Sequence, residues 1–184
     1  LEARGIAWVR YADDFLLLCK TREEAEAALE VVREILARLG LTLSPEKTRI
    51  AHLDEGFDFL GWHYQGHRRW PRDKSVKALR HKLREKTRRL RSGSMELICS
   101  ELKPILRGWG NFFKDGNSGG TFGAISSWLR RRLRSILHRR HKGRGIGSPG
   151  LNSRWPNNCF AAWGLIDIEA ALISYRNRGH AFSP

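Results

Sequence analysis

The chain is poor in acid, in cysteine and in long apolar runs. Its 184 residues hold 19 Asp and Glu against 34 Lys and Arg, giving a formal net charge of +15 and a pI of about 10.7. So large an excess points away from basic partners and toward a polyanion. The three cysteines, Cys19, Cys99 and Cys159, are isolated, with no Cys-x-x-Cys pair. A zinc ribbon and a disulfide framework are therefore both excluded, and a reducing cytoplasm is the expected compartment. No stretch approaches the roughly 18 consecutive apolar residues of a membrane span. The first residues lack the basic–apolar–small pattern of a signal peptide. His63, His67, His81, His138, His141 and His180 stand at spacings that match no common metal-ligand motif. No initiator Met precedes Leu1, and the chain opens inside a strand-like stretch, so a fragment of a longer protein is expected.

What is present is enough for a core, since 41% of residues are hydrophobic. Charge is spread unevenly: residues 1–60 carry 8 Lys/Arg and 12 Asp/Glu, whereas residues 61–184 carry 26 and 7. In the acidic part, two apolar runs, Ile6–Val9 and Phe15–Cys19, flank Arg10-Tyr11-Ala12-Asp13-Asp14 and predict a buried β-hairpin. Two carboxylates at its tip repel each other and resist desolvation, a cost that a divalent cation removes. Mg²⁺ takes oxygen ligands and is held by one or two carboxylates plus substrate phosphates. Asp is also an ordinary turn residue, so these positions alone leave both readings open. Thr21-Arg22-Glu23-Glu24 is a capping box, and Ala25, Ala28, Leu29, Val32, Ile35, Leu36 and Leu39 follow at helical spacing up to Gly40. Pro45 predicts a turn. Arg49–Leu53 and Phe57–Trp62 read as two further strands, for an order β-β-α-β-β.

Composition shifts near Gly66. A basic helix is predicted from Asp73, with Val76, Leu79, Leu83 and Leu90 as its apolar stripe. Ser92-Gly93-Ser94 breaks it, and Ser94 can cap a second helix carrying Leu97, Ile98, Leu102, Ile105 and Leu106, with Pro104 predicting a kink or restart. Gly116–Gly120 reads as a loop. Thr121 is the expected cap of a third helix, with Phe122, Ile125, Trp128, Leu129, Leu133, Ile136 and Leu137 on its apolar face, and three such helices suggest a small bundle. Beyond Lys142 the chain is Gly-rich and punctuated by Pro through Trp155-Pro156, and a last helix is expected over Asp167–Arg176. The lysines and arginines of 68–91 and 130–144 have few acids between them. That density favours phosphate neutralisation over a merely solvated face.

Several blocks together resemble a known family. Tyr11-Ala12-Asp13-Asp14 between apolar strands resembles the active-site motif of reverse transcriptases, with Ala in second place as in group II intron and other non-retroviral enzymes. Gly40-Leu41-Thr42-Leu43-Ser44-Pro45-Glu46-Lys47-Thr48 and Phe57-Asp58-Phe59-Leu60-Gly61-Trp62 are similar to two later palm blocks. Leu102-Lys103-Pro104-Ile105-Leu106-Arg107-Gly108-Trp109-Gly110-Asn111-Phe112-Phe113 resembles the group II intron maturase (thumb, or X) signature, and Arg154-Trp155-Pro156-Asn157 the tail of bacterial intron-encoded proteins. Several ordered blocks are far more specific than one.

The resemblance implies an α+β fold, a partial polymerase palm (β-β-α-β-β) followed by an α-helical thumb/maturase bundle. It implies the C-terminal half of the palm over 1–66, the thumb/maturase domain over 67–142 and an extension over 143–184. It implies RNA-directed DNA polymerase chemistry with Mg²⁺ held by Asp13 and Asp14, completed by a carboxylate on an earlier strand. Tyr11, Ala12, Lys47, Phe59, Leu60 and Gly61 would lie at the nucleotide and primer. Arg68, Arg69, Arg72, Lys77, Arg80, Arg84, Arg88, Arg107, Arg130, Arg131, Arg134, Arg139 and Arg140 would bind RNA. The expected partners are intron RNA, an RNA template and an RNA–DNA duplex, with no membrane, in a bacterial-type cytoplasm. Two other functions fit the same residues: a non-catalytic RNA-binding maturase, and a related bacterial reverse transcriptase of the retron or defence type.

Overall fold

The computed structural model describes residues 5–141, 143 and 150–180. The chain divides into two compact units, Leu1–His52 and Leu53–Pro184, and the fold is mixed α and β, with small sheets ahead of a helical region.

In the first unit, β1 (Ala7–Tyr11) and β2 (Asp14–Leu18) form an antiparallel hairpin with Tyr11 opposite Asp14 and Ala7 opposite Leu18. α1 (Arg22–Arg38) packs against β2. Its start is set by the predicted cap: the Glu24 N–H donates to Thr21 Oγ1 at 3.2 Å, while Glu24 Oε2 accepts from the Lys20 N–H at 2.8 Å. Ala28 and Val32 are buried, but every residue of β1 is exposed. Arg49–Leu53 is not a strand. Ile50 and Leu53 are exposed, and the segment pairs with no strand.

The second unit opens with a three-stranded antiparallel meander, β3 (Phe57–Phe59), β4 (Trp62–Gln65) and β5 (Arg68–Pro71). The single strand expected over Phe57–Trp62 is thus a hairpin, folded back at Leu60-Gly61 so that Phe59 faces Trp62. β5 was not foreseen from the sequence, because Arg68, Arg69 and Pro71 carry no strand signal of their own. Pairing with β4 forms it. One sheet face, including Trp62, packs on the bundle: the Trp62 ring lies 4.8 Å from that of Phe113 and 6.0 Å from that of Phe112.

Seven helices are described in all, six of them in this unit. α2 (Asp73–Lys86) stops earlier than its apolar stripe suggests. Thr87 turns its hydroxyl onto the Leu83 carbonyl at 2.6 Å, and Leu90 is left exposed. α3 (Met95–Phe113) is capped by Ser94, whose Oγ accepts from the Leu97 N–H at 3.1 Å. Pro104 does not interrupt it. The ring lies on the exposed side, and Ile98, Leu102 and Leu106, all buried, hold the helix through the lost backbone bond. α4 (Gly119–Arg140) begins after Ser118, ahead of the expected cap Thr121. Two short helices flank Trp155-Pro156: α5 (Leu151–Arg154) just before it and α6 (Asn157–Ala162) directly after it. α7 (Ile168–His180) starts on Asp167, whose Oδ1 accepts from the Glu169 N–H at 3.1 Å. The core joins α2, α3, α4, α6 and α7 through Leu83, Ile98, Leu102, Ile125, Leu133, Phe160 and Leu172. No helix among the described residues is long and apolar enough to cross a membrane.

Candidate nucleic-acid interface

Asp13 and Asp14 stand at the tip of the β1–β2 hairpin, both exposed. Ala12 and Asp13 form a two-residue loop, and Ala12 holds φ +55°. A left-handed backbone at a residue with a Cβ costs roughly 1–2 kcal/mol. The Arg10 Nε–H donates to the Ala12 carbonyl at 2.7 Å and helps fix the turn. Neither aspartate enters an ion pair among the described residues, and no group of three or more His, Cys, Asp or Glu there could hold a metal ion. The donor set is therefore two hydrated carboxylates on a short turn. That chemistry suits Mg²⁺, which keeps waters and takes further oxygens from substrate phosphates. Tyr11 is 66% exposed beside them. Lys47 is exposed in the same unit, on a turn where the Lys47 and Thr48 N–H groups both donate to the Ser44 carbonyl.

The Leu60-Gly61 turn belongs to the second unit. Leu60 holds φ +47° and Gly61 φ +86°, so Ala12 and Leu60 are the two non-glycine residues with positive φ among those described. Both sit in turns that the sequence singles out. The Gly61 carbonyl accepts from the Arg72 N–H and from Ser75 Oγ–H, each at 3.0 Å, which clamps the turn to the start of α2. A Cβ on Gly61 would approach Ser75 Oγ to 3.4 Å. Phe59 and Leu60 are half-buried. On the far edge of the sheet the chain around Gly116 closes onto β5. The Asn117 N–H donates to the Arg69 carbonyl at 2.7 Å, and the Arg69 N–H to Asn117 Oδ1 at 3.2 Å.

The arginines divide by what their guanidinium groups already hold. Arg134 is 6% exposed. Its Nε–H donates to the Trp155 carbonyl at 2.9 Å, its Nη2–H to Asn157 Oδ1 at 2.7 Å, and it lies over the Phe160 ring. It docks the tail and is removed from the exposed basic surface. Arg130, with a side chain 12% exposed, is neutralised by Asp167 at 2.6 Å. Arg69 donates to the Asp115 carbonyl and covers Trp62, and Arg140 donates to the Arg91 and Gly93 carbonyls. Arg68, Lys77, Arg84, Arg88, Arg107, Arg131 and Arg139 are exposed, Arg72 and Arg80 are half-buried, and none of the nine makes an ion pair among the described residues. Trp155 is buried and unavailable for stacking on a base. Two residues that the sequence placed only within the basic stretch and on an apolar face come forward as a pair. Arg132 donates through Nε–H and Nη2–H to Thr87 Oγ1 and O, and it faces Trp128. The four-residue spacing of Trp128 and Arg132 on one helix was the available signal.

Comparison with known proteins bears on both units. Residues 1–64 match the family described as reverse transcriptase (RNA-dependent DNA polymerase). Residues 76–155 match the group II intron, maturase-specific domain. The first match ends within β4 and the second begins within α2, so β5 lies between them. Protein YkfC of Escherichia coli (strain K12) is 47% identical over 59 residues, which are 31% of this chain and 16% of that protein. The matched stretch is thus a small part of that relative's length.

Proposed function

The chain belongs to the group II intron type of reverse transcriptase/maturase, and we propose that its basic helical unit binds RNA while its hairpin supplies two metal ligands for RNA-directed DNA synthesis. The observation that carries this reading is the hairpin tip, where a left-handed Ala12 presents two carboxylates that nothing among the described residues neutralises. Strain of this kind persists only where the surrounding structure over-determines it, and it clusters at active sites and ligand clamps.

Asp13 and Asp14 would hold Mg²⁺. That ion would supply Lewis-acid chemistry for the attack of a primer 3′-hydroxyl on a nucleotide α-phosphate, with the two carboxylates holding it in place. Tyr11 and Ala12 would lie against the primer end and incoming nucleotide, and Lys47 would meet phosphate. The turn formed by Leu60 and Gly61 after Phe59 would approach the primer backbone, with the missing side chain of Gly61 leaving room. The nine free cations would meet the phosphates of intron RNA and of the template–primer duplex. By this assignment residues 1–66 serve as the later part of a palm, 67–142 as thumb/maturase domain and 143–184 as its extension, in a cytoplasmic protein.

The test has two parts. RNA affinity of the purified chain should fall steeply with salt, and a flat response would overturn the phosphate-binding half. With two carboxylates at the tip among the described residues, the chain alone is expected to bind template–primer with Mg²⁺ without extending it. Extension that disappears in Asp13→Ala would show that it completes a polymerase site unaided. A non-catalytic maturase is the second reading, in which the exposed Asp13-Asp14 turn serves only as scaffold. It would be supported if Asp13→Ala/Asp14→Ala left Mn²⁺ binding, followed by electron paramagnetic resonance, unchanged.

A further inference from the structure

We propose that Arg80, Arg84 and Arg132, gathered on Trp128, form a preassembled seat for a single phosphodiester of an RNA strand. Arg80 and Arg84 are one turn apart on α2, and Trp128 and Arg132 one turn apart on α4. Their guanidinium carbons lie 5.6, 5.6 and 5.3 Å from the Trp128 ring centroid. Three cations thus meet over one half-buried indole.

No carboxylate among the described residues joins them. Glu85 faces His81 at 3.6 Å, and Glu101 is engaged by Lys86 and Arg91. None of the three arginines makes an ion pair among the described residues, and Arg80 Nε is buried with no hydrogen-bond partner. The indole face offsets part of the mutual repulsion. The remainder is what an anion would relieve. Arg132 is the fixed wall: its two bonds of 2.8 Å to Thr87, itself tied to the Leu83 carbonyl, set the plane of its guanidinium. Arg84 is exposed and can close from the other side. Planar guanidinium forks pair with two phosphate oxygens at once, which an ammonium cannot do.

The occupant is a strand and not a free phosphate because the seat is open and continues in both directions. Lys77 precedes it on α2 and Arg88 follows just beyond that helix, both exposed and without ion pairs. A polyanion engages such a track and a single phosphate does not. The proposal rests on the RNA-binding function given above.

The test uses the full chain and a short RNA duplex, with affinity measured by fluorescence anisotropy over a KCl series. Arg80→Gln/Arg84→Gln should weaken binding about tenfold or more at low salt and reduce the log–log salt slope by about two. Lys114→Gln/Arg178→Gln removes the same charge from residues outside the seat, on α7 and against its Tyr175, and should change affinity by less than about threefold, on the same principle of counted phosphate contacts. Trp128→Leu keeps every charge. It should weaken binding while leaving the slope unchanged, because Trp128 positions the forks and holds no phosphate. Equal effects of the two double variants would overturn the seat while leaving RNA binding intact. Competition by inorganic phosphate at low millimolar concentration and constant ionic strength would overturn the assignment to a strand. A wild-type chain without salt-dependent RNA binding would instead overturn the function on which the seat rests.

Discussion

The two units solve opposite problems. Residues 1–52 hold 8 Lys/Arg and 9 Asp/Glu, and Ala28 and Val32 are the only buried apolar side chains described there. Residues 53–184 hold 26 and 10, and their core contains Leu83, Ile98, Leu102, Ile125, Leu133 and Ile136 at full burial. One helix on a two-stranded sheet buries little, and such a hairpin is marginal by itself. It presents Tyr11, Asp13 and Asp14 to solvent. The larger unit can carry a dense field of like charge because its interior independently holds it together. Three charged side chains that fold inward there, Arg130, Arg132 and Arg134, do so onto carbonyl, hydroxyl, amide or carboxylate acceptors, whereas Arg80 Nε is buried without one.

The contrast is broken most directly through the core. Leu102→Ala should cost the second unit about 2–5 kcal/mol, read as a lower urea midpoint, with hydrogen exchange in the β1–β2 hairpin unchanged. Equal loss of protection in both units would show that they unfold as one. Arg134→Leu should cost about 1–3 kcal/mol, since the Trp155 carbonyl and Asn157 amide oxygen lose their donor, with RNA affinity nearly unmoved. A variant that kept stability and lost RNA affinity would place Arg134 on the surface after all. Gly116→Ala should cost a similar or slightly smaller amount, about 1–3 kcal/mol. A Cβ there would come within 2.2 Å of the Trp62 ring and 2.8 Å of the Arg69 carbonyl. A change in Trp62 fluorescence would report it, and a wild-type spectrum and midpoint would refute the close approach.

The first unit should respond in the other direction. Ala12→Gly relieves the left-handed strain and should stabilise the hairpin by up to about 1 kcal/mol, seen as slower exchange of its amides. Faster exchange would mean that the strain estimate has the wrong sign. The smallest effect concerns acid. The Glu101 carboxyl is held below its ordinary value of 4.5, first by the hydrogen bond from Lys86 and then, against some desolvation, by the charges of Arg91 and Lys86. A depressed folded-state value stabilises the protein above pH 4.5, and that contribution is lost as pH falls through the lower folded value. Glu101→Gln should therefore flatten the acid limb of the second unit's stability curve, and an unchanged acid limb would remove Glu101 from it.

Much of this was legible along the chain. The caps at Thr21 and Ser94, the starts of α1, α2 and α3, and the apolar stripes through Leu83, Leu102 and Leu133 all follow from local rules that need only neighbours within a few residues. The strands after His52 were not. Whether Arg49–Leu53 pairs, or Phe57–Trp62 folds back on itself, depends on which edge is available, and β5 exists because β4 is beside it. The arginines were the other limit. A guanidinium left at the surface and one that binds the Trp155 carbonyl are the same residue with the same charge, and they differ only once Trp155, 21 positions along the chain, is packed against one of them.

The sequence by itself determined the charge division, the helix limits set by Thr21 and Ser94, and the carboxylate pair between two apolar strands, because each depends on residue type and short spacing. The tertiary structure alone decided which cations remain free. Packing α4 against the tail and against Thr87 withdrew Arg134 and fixed Arg132. Bringing α2 beside Trp128 then left Arg80 and Arg84 together with Arg132, more than 40 residues on, with no counter-ion among the described residues, a juxtaposition that only the folded core can hold against their repulsion.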